Sequence, residues 1–545
     1  MKTYLHALLG DVLEAAGLRR SDLDIQFEKP KQPEHGDLST NVAMMLARQA
    51  GRNPRQLAQE LCVLLEERVD RTRIAAIEIA GPGFINFRFT ASHVHDELAR
   101  ILALRDAYGR SNIGEGRSVN VEWVSANPTG PLHAGHGRQV CIGAILCTAL
   151  EWAGWNVTRE YYFNNAGSQM HNLAVTVRER YLELLGDEPV AENIHYVGDY
   201  VREVARGIVD AHGETKRDAP IDFFRTQGEQ WCFASIRATL ERLHVRHDIF
   251  YNEDSLYSDG KIAEVLDALR AKDLAYDKDD AVWLRATAFG ADKDRVIVKS
   301  TGEPTYRLPD IAYHREKVLR NYDQIIDIFG ADHIATIPDV LAGVASMGLR
   351  TDHIKVIIHQ MVSFVSNGEA VKMSKRSGNV YSLDDLIDDV GVDAVRYFFV
   401  MRGANSHLDF DVALAREQSE SNPVYYLQYA HARISSIIRF AEGEGFVVDA
   451  DAPISLLAHD AEITLIKALS DFPQIVAGVA ASSELQHLCT YLQATSAAFH
   501  RFYHECRVVT EDRALSTARL ALCLGTRQVI ANGCAILGIG APERM

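Results

Sequence analysis

Cysteine is scarce in this chain and never has the paired spacing that binds zinc. The 545 residues include eight cysteines, and no two of them form a Cys-x-x-Cys pair. A disulfide framework needs a denser set of cysteines, and a zinc ribbon needs such pairs at fixed spacing. The sequence therefore argues against both scaffolds. It predicts a protein of the reducing cytoplasm without a tightly bound metal.

Long apolar runs are also missing. No uninterrupted apolar segment reaches the roughly 18 residues that cross a bilayer. The opening segment MKTYLHALLGDVLEAAGL is interrupted by His6, Asp11 and Glu14, whereas a secretory signal has an uninterrupted apolar centre. This segment therefore predicts a first amphipathic helix, and the chain is predicted to be soluble, with no membrane partner.

Positive charge is in deficit. The chain has 57 Lys and Arg against 74 Asp and Glu, a formal charge of -17. Proteins that coat nucleic acid regardless of sequence depend on basic side chains that neutralise phosphates, so the charge argues against that class. An enzyme that selects one nucleic acid with a few cations on one face stays open.

What the chain does contain is an ordinary globular composition, 47% hydrophobic and 24% charged, over a length that predicts several domains. Residues 1–110 alternate helical and strand-like patterns and predict a small α+β domain. The stretch YGRSNIGEGRS, residues 108–118, is rich in turn formers and typical of a linker. A second domain is predicted from about residue 119 to 420.

This second domain begins like a doubly wound α/β fold. VNVEWVSAN is typical of a buried strand, PTGPLHAGHGR of a loop, and QVCIGAILCTALEWAG of a mostly apolar helix. In such folds, ligands bind at the carboxyl ends of parallel strands. The apolar runs RVIVKS, YDQIIDIFG and KVIIHQMVSFV predict further parallel strands. The charged, mostly helical region from about 160 to 280 is predicted to be an insertion packed over the sheet.

Helical periodicity dominates the last segment, residues 421–545. Seven residues spaced by threes and fours predict one buried helix face in a bundle: Leu485, Leu488, Leu492, Thr495, Phe499, Phe502 and Cys506. The predicted fold class is therefore multidomain. It combines an N-terminal α+β domain, a Rossmann-like domain with a doubly wound parallel sheet, and a C-terminal all-α bundle.

Two histidines stand where the predicted loop meets the predicted helix, in His133-Ala134-Gly135-His136. A helix N-terminus carries about half a positive charge, and Gly135 lacks the side chain that would block a nucleotide, so both histidines could face a bound phosphate. The alternatives are a pair of surface histidines or a His-x-x-His metal pair.

The second candidate segment is basic. Lys372-Met373-Ser374-Lys375-Arg376 has three cations within five residues and is followed by Ser377 and Gly378. A loop of this kind can close on the phosphates of ATP and stabilise the charge that develops on departing pyrophosphate. Taken alone, it would be interpreted as a basic solvated turn.

Together the two segments resemble the paired HIGH-type and KMSKS-type signatures of class I aminoacyl-tRNA synthetases. VEWVSANPTGPLHAGHGR resembles the arginyl-tRNA synthetase version, as do REYYFNNAGSQ, TYRLPDIAYH and the ending GIGAPERM. NPVYYLQYAHARI and FYHECRVV are similar to that family's anticodon-binding domain, named for a D-A-L-R signature, and Asp393-Ala394-Val395-Arg396 is a related motif upstream. EHGDLSTNVAM is similar to the family's additional N-terminal domain, so the resemblance covers nearly the whole chain.

The resemblance implies an ATP-dependent arginine-tRNA ligase. Such an enzyme activates L-arginine with MgATP to arginyl-adenylate and pyrophosphate, usually once tRNA is bound. It then transfers arginine to the 2′-hydroxyl of the terminal adenosine of tRNA(Arg) and releases AMP. The implied partners are ATP with Mg2+, L-arginine and tRNA(Arg). The resemblance also implies a monomer whose N-terminal domain touches the tRNA elbow.

Site residues follow when the family motifs are matched position by position. The implied arginine-binding residues are Glu122, Asn127, Tyr306, Asp310 and His333; the ATP-binding residues are His133, Gly135, His136, Met373, Ser374 and Lys375; and the catalytic residues are His133, His136, Lys372 and Lys375. Relatives that lack the second loop lysine carry a compensating lysine upstream. This chain keeps Lys375 and has Gly130 at the upstream position, so it resembles the variety with the ordinary loop. Arg376 has no implied role.

The chemistry of Asp310 agrees with this assignment. A carboxylate can accept two parallel N–H bonds from a guanidinium, which an ammonium cannot offer, and such a site rejects analogues without editing. Asp310 is predicted to begin a helix, because Pro309 disfavours a helical Leu308. A structural alternative stays open for Glu122 and Asp310, since acids at strand ends often cap helices or pair with arginine.

Two other functions stay open. One is a class I synthetase for another amino acid, such as glutamate or cysteine; the cysteine enzyme would need zinc ligands that the cysteine spacing does not provide. The other is a tRNA-binding relative that has lost catalysis. Intact histidines and loop lysines argue against that loss.

Overall fold

The computed structural model describes residues 1–19, 23–30, 32–371, 381–447 and 452–545. Four predicted site residues, Lys372, Met373, Ser374 and Lys375, lie outside these ranges. The chain forms two compact units. Unit 1 comprises Met1–Tyr108, Ile434–Asp471 and Ala497–Val529, and unit 2 comprises Gly109–Arg433, Phe472–Ser496 and Ile530–Met545.

The described residues form short strands and mostly longer helices. The strands are β1 (Leu38–Thr40), β2 (Ile74–Ala80), β3 (Phe84–Phe89), β4 (Ser118–Glu122), β5 (Asn156–Phe163), β6 (Ile249–Asn252), β7 (Ala275–Lys278), β8 (Ala281–Leu284), β9 (Arg295–Val298), β10 (Gln324–Gly330), β11 (Ile354–His359), β12 (Val362–Ser366), β13 (Glu369–Ala370) and β14 (Leu408–Asp411). The helices are α1 (Lys2–Ala15), α2 (Val42–Ala50), α3 (Pro54–Arg68), α4 (Ala91–Leu104), α5 (Gly137–Trp152), α6 (Ser168–Leu184), α7 (Asp199–His212), α8 (Ile221–Arg242), α9 (Asp254–Ser258), α10 (Lys261–Ala271), α11 (Arg307–Leu319), α12 (Ile337–Ser346), α13 (Leu383–Val390), α14 (Val392–Val400), α15 (Val412–Arg416), α16 (Pro423–Gly443), α17 (Asp460–Ser470), α18 (Phe472–Ser482), α19 (Gln486–Glu505) and α20 (Arg513–Leu537).

Unit 1 contains the predicted α+β domain. Its sheet is antiparallel in the order β1-β3-β2, and the helices bury one apolar face each. Helix α1 does so at Leu5, Leu9 and Val12, which have no more than 1% exposed area. Their spacing follows the helical period, and the predicted amphipathic first helix is confirmed.

Unit 2 contains a five-stranded parallel sheet in the order β11-β10-β4-β5-β6. The chain enters at β4, proceeds to β5 and β6 on one side, and then crosses to β10 and β11 on the other. The crevice at such a reversal is where doubly wound folds bind ligands. Helix α5 packs closely on the sheet, because a Cβ on Gly143 would lie 2.1 Å from the Trp123 ring. The predicted Rossmann-like fold is confirmed.

Two predicted strands of this sheet lie elsewhere. Strand β9 belongs to an antiparallel sheet with β7 and β8, and β12 pairs with β13 and β14. The prediction of a parallel strand was therefore wrong for RVIVKS. The strand in VSFV is parallel to β14, but it lies outside the five-stranded sheet. An apolar run indicates a strand, but the path of the chain selects its neighbours.

The region from 160 to 280 is helical in part. Helices α6, α7 and α8 share an apolar core that includes Leu173, Val204 and Phe224. Strand β6 and the end of β5 fall in the same range and belong to the parallel sheet. The helical portion therefore begins and ends inside the predicted bounds.

The last segment is helical, as predicted. The seven residues of the predicted stripe lie on or directly beside α19, and all are buried. Two segments, Asp460–Ser482 and Arg513–Leu537, have the length and apolar composition of membrane spans. In the second, 72% of the most apolar window is buried inside the protein, which is typical of a core helix.

Candidate active site

A cleft of about 1460 Å³ opens where β4, β10 and β11 end. Its lining includes every predicted site residue that the structure describes: Glu122, Asn127, His133, Gly135, His136, Tyr306, Asp310 and His333. These residues are far apart in the chain. The parallel sheet brings them to one edge.

The histidines of the first signature form a compact pair. Their rings are stacked with centroids 3.6 Å apart, and the backbone N–H of His133 donates to Nδ1 of His136 at 3.2 Å. Because Nδ1 accepts, the proton of a neutral His136 is on Nε2. Burial lowers the pKa of His136 to about 3, so this ring is a neutral hydrogen-bond donor at physiological pH.

Gly135 and Gly130 are both closely packed. A Cβ on Gly135 would lie 3.0 Å from the His133 ring, and one on Gly130 would lie 3.3 Å from the ring of Tyr200 on α7. The hydroxyl of Tyr200 donates to the carbonyl oxygen of Thr129. A side chain at the upstream position would therefore have to displace a tyrosine that is hydrogen-bonded in place.

Helix α11 begins earlier than the sequence predicts. It begins at Arg307, and Asp310 lies within its first turn. The prediction that Asp310 begins the helix was wrong, because a proline is tolerated in the first turn, where backbone N–H groups have no partner inside the helix. A helix from Arg307 places Tyr313, His314 and Lys317 on the same face as Asp310. The sequence prediction did not include those three residues, because the family motifs gave them no role.

The Asp310 carboxylate has no ion pair or hydrogen bond within the described residues. Burial is the main reason that its pKa is raised to about 6, and the nearby charge of Glu122 adds to the rise. The imidazole of His314 lowers it, but donates its hydrogen bond to the backbone oxygen of Asp310 at 2.8 Å. A carboxylate in this setting favours a cationic ligand.

Glu122, at the end of β4, is paired with a buried lysine. Lys317 Nζ donates to Glu122 Oε2 at 2.6 Å and to a carboxylate oxygen of Asp327 on β10. Ser125 Oγ donates to Glu122 Oε1 at 2.9 Å. Glu122 therefore lines the cleft and also has a structural ion pair, with a lysine and not with the arginine that the alternative interpretation anticipates.

The turn after β4 is strained. Val124 and Ser125 have φ angles of 76° and 39°, which are unfavourable for residues with a Cβ and most of all for a β-branched one. The turn brings Ser125 back to Glu122, and Tyr161 donates its hydroxyl to the carbonyl oxygen of Ala126 at 2.9 Å. Strain here is offset by contacts that fix the start of the cleft.

One wall of the cleft is aromatic. The rings of Tyr162 and Tyr313 have centroids 4.2 Å apart. The Tyr162 hydroxyl donates to Glu253 Oε2 at 2.9 Å, and burial raises the pKa of Glu253 to about 7. Tyr162 lies in one of the family-like motifs. Glu253 lies in no motif, so no sequence signal identified it.

The side chains of Asn127 and His333 are less buried than that of Glu122. Asn127 Nδ2 donates to Gln169 Oε1 at 2.6 Å. The His333 side chain is 54% exposed, and its ring stacks on Phe329 with centroids 5.4 Å apart. Both therefore remain accessible from the cleft.

Three family models match consecutive parts of the chain. The arginyl tRNA synthetase N terminal domain matches residues 3–89, the catalytic domain of class I (R) tRNA synthetases matches 97–399, and the DALR anticodon binding domain matches 427–545. The catalytic model alone covers more than half of the chain.

Whole-chain comparisons agree. The chain is 45% identical over 565 aligned residues to an arginine-tRNA ligase of Salinibacter ruber, with 100% of both chains covered. It is 47% identical to one of Desulfotalea psychrophila, covering 95% of this chain and 94% of that one. Among solved structures, a putative arginyl-tRNA synthetase of Campylobacter jejuni aligns with a TM-score of 0.78 at 28% identity, covering 84% of this chain and all of that one. The Thermus thermophilus arginyl-tRNA synthetase has a TM-score of 0.80 at 20% identity, with 100% of both chains covered, and supports the fold alone.

Proposed function

Because the chain belongs to the arginyl-tRNA synthetase family, we propose that the described cleft is where it activates L-arginine with ATP and transfers it to tRNA(Arg). The chain is an arginine-tRNA ligase of class I. The transfer goes to the 2′-hydroxyl of the terminal adenosine. The observation that carries the assignment of the cleft is the Asp310 carboxylate, which lines it and has no cation paired with it among the residues that the structure describes.

The arginine guanidinium pairs with Asp310 in this proposal. A carboxylate accepts two parallel N–H bonds from a guanidinium, and the exposed ring of Tyr306, one helical turn earlier, closes over it. Tyr162 and Tyr313 form an aromatic wall against which the planar group can pack. Glu122 and Asn127 line the rest of the arginine pocket, and His333 lies near the substrate amino group.

ATP binds over the first signature. Gly135 lacks a side chain that would block the nucleotide, and His133 and His136 offer neutral N–H donors to its phosphates. The carboxylate of arginine attacks the α-phosphorus, and pyrophosphate leaves. Donors positioned where this charge develops favour the transition state over the ground state. Lys372 and Lys375 are proposed to act on the leaving pyrophosphate, with Met373 and Ser374 as further ATP contacts.

Mg2+ enters with ATP as part of the substrate. Magnesium commonly binds through substrate phosphates with one or two carboxylates and several waters, and Asp384 and Asp385 line the cleft. We further propose that residues 1–110 touch the tRNA elbow, 119–420 carry out catalysis, and 421–545 read the anticodon. The protein acts as a monomer in the cytoplasm.

Pyrophosphate exchange tests the assignment. Each of the twenty amino acids is supplied in turn, with and without tRNA(Arg), and incorporation of labelled pyrophosphate into ATP is followed. Arginine alone should support exchange, most strongly with tRNA present. Exchange with another amino acid at a comparable rate would refute the assignment, and no exchange with any amino acid would favour a non-catalytic relative.

A further inference from the structure

A buried lysine lies between two carboxylates at the edge of the proposed arginine pocket. Lys317 Nζ contacts both Glu122 and Asp327. The side chains of Lys317 and Asp327 have no exposed area, and that of Glu122 has 3%. Because water is excluded, the protein itself has to balance the charge of this cluster.

The sheet creates the repulsion that Lys317 relieves. Glu122 on β4 and Asp327 on β10 are register partners in adjacent parallel strands, and such strands lie about 4.8 Å apart. Two carboxylates this close cannot both stay ionised without a cation. Helix α11 supplies that cation from a position two turns after Asp310.

Other charged groups near the cluster either have partners of their own or share one of its carboxylates. Glu160 on β5 accepts two hydrogen bonds of 2.8 Å from Arg320. His314 Nε2 lies 3.2 Å from Asp327 Oδ2, and the Tyr313 ring lies 4.9 Å from Lys317 Nζ. Within the described residues, His314 contacts only Asp327 of the register pair, whereas Lys317 contacts both Glu122 and Asp327.

The pKa of Asp327 reflects this balance. Burial alone would raise it, but Lys317 and the hydrogen bond with His314 hold the pKa of Asp327 well below its usual range. Both oxygens of Glu122 are engaged as well, one by Lys317 and the other by Ser125. Asp310 lines the same cleft, and the described parts of the chain place no equivalent partner beside it.

We propose that Lys317 is a positioning residue for the arginine site. With a protonated His314 beside Asp327, its ammonium balances Glu122 and Asp327, so that Asp310, and not this pair, supplies the charge that binds the substrate guanidinium. The inference rests on the proposed arginine pocket. It adds a residue that does not touch the substrate but sets the charge state of residues that do.

Lys317→Met tests the role of the charge, because it removes the ammonium and keeps most of the side-chain length. Without the cation, the two carboxylates hold a proton between them to higher pH, and bound arginine has to displace it. We expect the KM for arginine at pH 7 to rise about 10- to 100-fold, with the KM for ATP within about twofold. The pH below which the arginine KM rises should move up by about one unit or more.

Two further variants separate charge from packing. Lys317→Gln can still donate a hydrogen bond but cannot neutralise the pair, so its pH profile should also move up. Lys317→Met with Asp327→Asn removes one charge of each sign, which buried pairs tolerate better than the loss of one member. Its pH profile should return to the wild-type position.

Lys355→Met is the matched control. Lys355 lies on β11 of the same sheet, where Nζ donates to Ser483 Oγ at 2.9 Å and to the carbonyl oxygens of Ala481 and Ser482. This change removes three hydrogen bonds at partly exposed positions away from the cleft. It should lower the thermal midpoint and leave the pH profile of the arginine KM unchanged.

The outcomes are distinct. A KM for arginine that rises equally at every pH in Lys317→Met and Lys317→Gln would make Lys317 a purely structural residue. If Lys317→Met does not fold, Lys317→Gln and the double variant decide in the same way. Asp310→Asn is measured beside them. If it leaves arginine kinetics unchanged, the pocket and the role of Lys317 both fail; if it impairs them while neither Lys317 variant moves the pH profile, only the Lys317 inference fails.

Discussion

The backbone N–H of Ala134 donates to the carbonyl oxygen of Tyr381 at 3.0 Å. A second hydrogen bond runs in the opposite direction, from the backbone N–H of Leu383 to the carbonyl oxygen of Leu132 at 2.8 Å. Tyr381 follows closely after the basic second signature. The first signature is thus joined by backbone hydrogen bonds to the residues that follow the second, and the histidine pair has a fixed position relative to them.

The first prediction concerns the protonation state in which His136 acts. His136 is neutral above about pH 3, because burial lowers its pKa to about that value. His136→Ala should lower the activation rate by about 10²- to 10³-fold, as for loss of one preorganised donor, and His136→Asn, which keeps an N–H donor, should lower it less. The pH profile between 6 and 8 should keep its shape in both variants. A wild-type limb in that range that disappears in His136→Asn would show that the protonated ring is the working form.

Asp310→Asn is the second prediction. The change keeps the shape but places an amide N–H against the guanidinium. Arginine's kcat/KM should therefore fall by a factor equivalent to about 2 to 5 kcal/mol, with little effect on the kcat/KM for ATP. Discrimination between arginine and citrulline should shrink, since citrulline offers an oxygen to the new amide. In the wild type, arginine's KM should rise below pH 6, where Asp310, whose pKa is raised to about 6, takes up a proton.

Asp332→Asn is the control for this experiment. Asp332 lines the same cleft, but its side chain is 76% exposed. It should change arginine's kcat/KM by much less than Asp310→Asn. Equal effects of the two substitutions would mean that neither carboxylate is selective for the guanidinium.

The third prediction concerns Glu253 and stability. Burial raises its pKa in the folded protein to about 7 from an ordinary 4.5. The folded state therefore holds this proton more tightly than the unfolded state, and the resulting stability is present below about pH 4.5 and lost as pH rises through 7. Glu253→Gln should remove up to about 3 kcal/mol of this pH dependence. The variant should thus gain stability relative to wild type between pH 5 and pH 8.

Urea unfolding at the two pH values measures this difference. Glu264→Gln, on an exposed helix surface where Glu264 contacts Lys261 and Arg315, serves as the control and should leave the pH slope nearly unchanged. A slope that is identical in wild type and Glu253→Gln would mean that Glu253 is ionised in the folded protein.

The fourth prediction concerns the D-A-V-R segment. Arg396 is buried and donates to the carbonyl oxygens of Leu537 at 2.8 Å and Leu243 at 2.6 Å. Gly538 has a φ of +65°, and a Cβ there would lie 2.3 Å from the Arg396 guanidinium. Gly538→Ala should therefore destabilise the protein by about 1 to 3 kcal/mol, seen as a lower thermal midpoint.

Gly478→Ala is the matched substitution. Gly478 lies inside α18 with no atom within 4 Å of a new Cβ, so alanine should stabilise the helix by up to about 1 kcal/mol. Opposite signs for the two glycines are the expected result. A neutral Gly538→Ala would mean that the end of the chain moves away from Arg396 without cost.

The fifth prediction is that a chain ending at residue 421 does not yield a folded catalytic fragment. Unit 2 includes residues beyond that point. Phe472 packs edge-on against Trp152 with ring centroids 6.3 Å apart, and Arg396 would lose the carbonyl oxygen of Leu537. Size-exclusion chromatography should find the fragment aggregated or absent from the supernatant. A monodisperse fragment with a cooperative thermal transition would contradict this expectation.

Local patterns in the sequence were sufficient for much of the fold. The stripe from Leu485 to Cys506 and the amphipathic opening segment are buried as their spacing predicts, because helical periodicity depends only on neighbours in the chain. The strand, loop and helix after Val119 likewise follow from local apolarity and turn formers. The family-like motifs identified candidate residues, and those in the described part of the chain line one cleft.

Partners of strands and charges were decided by tertiary structure. The segments that form β9 and β10 are both short apolar runs. Strand β9 nevertheless joins an antiparallel sheet, whereas β10 joins the parallel one. The hydrophobic effect is non-directional, so the burial of apolar side chains does not by itself select which of two sheets a strand joins. The start of α11 was also not given by the local pattern, because Pro309 is tolerated in the first turn of a helix that begins at Arg307.

The charge of the cleft is the clearest case. The sequence by itself determined that Glu122, Lys317 and Asp327 are ionisable and that Asp310 suits a guanidinium. Only the fold brings Lys317 between the other two, from three separate elements. It leaves Asp310 half-buried, with no paired cation in the described part of the chain. An ionisable group responds to the dielectric and the charges within a few ångströms of it, and at this site most of those neighbours come from distant parts of the chain.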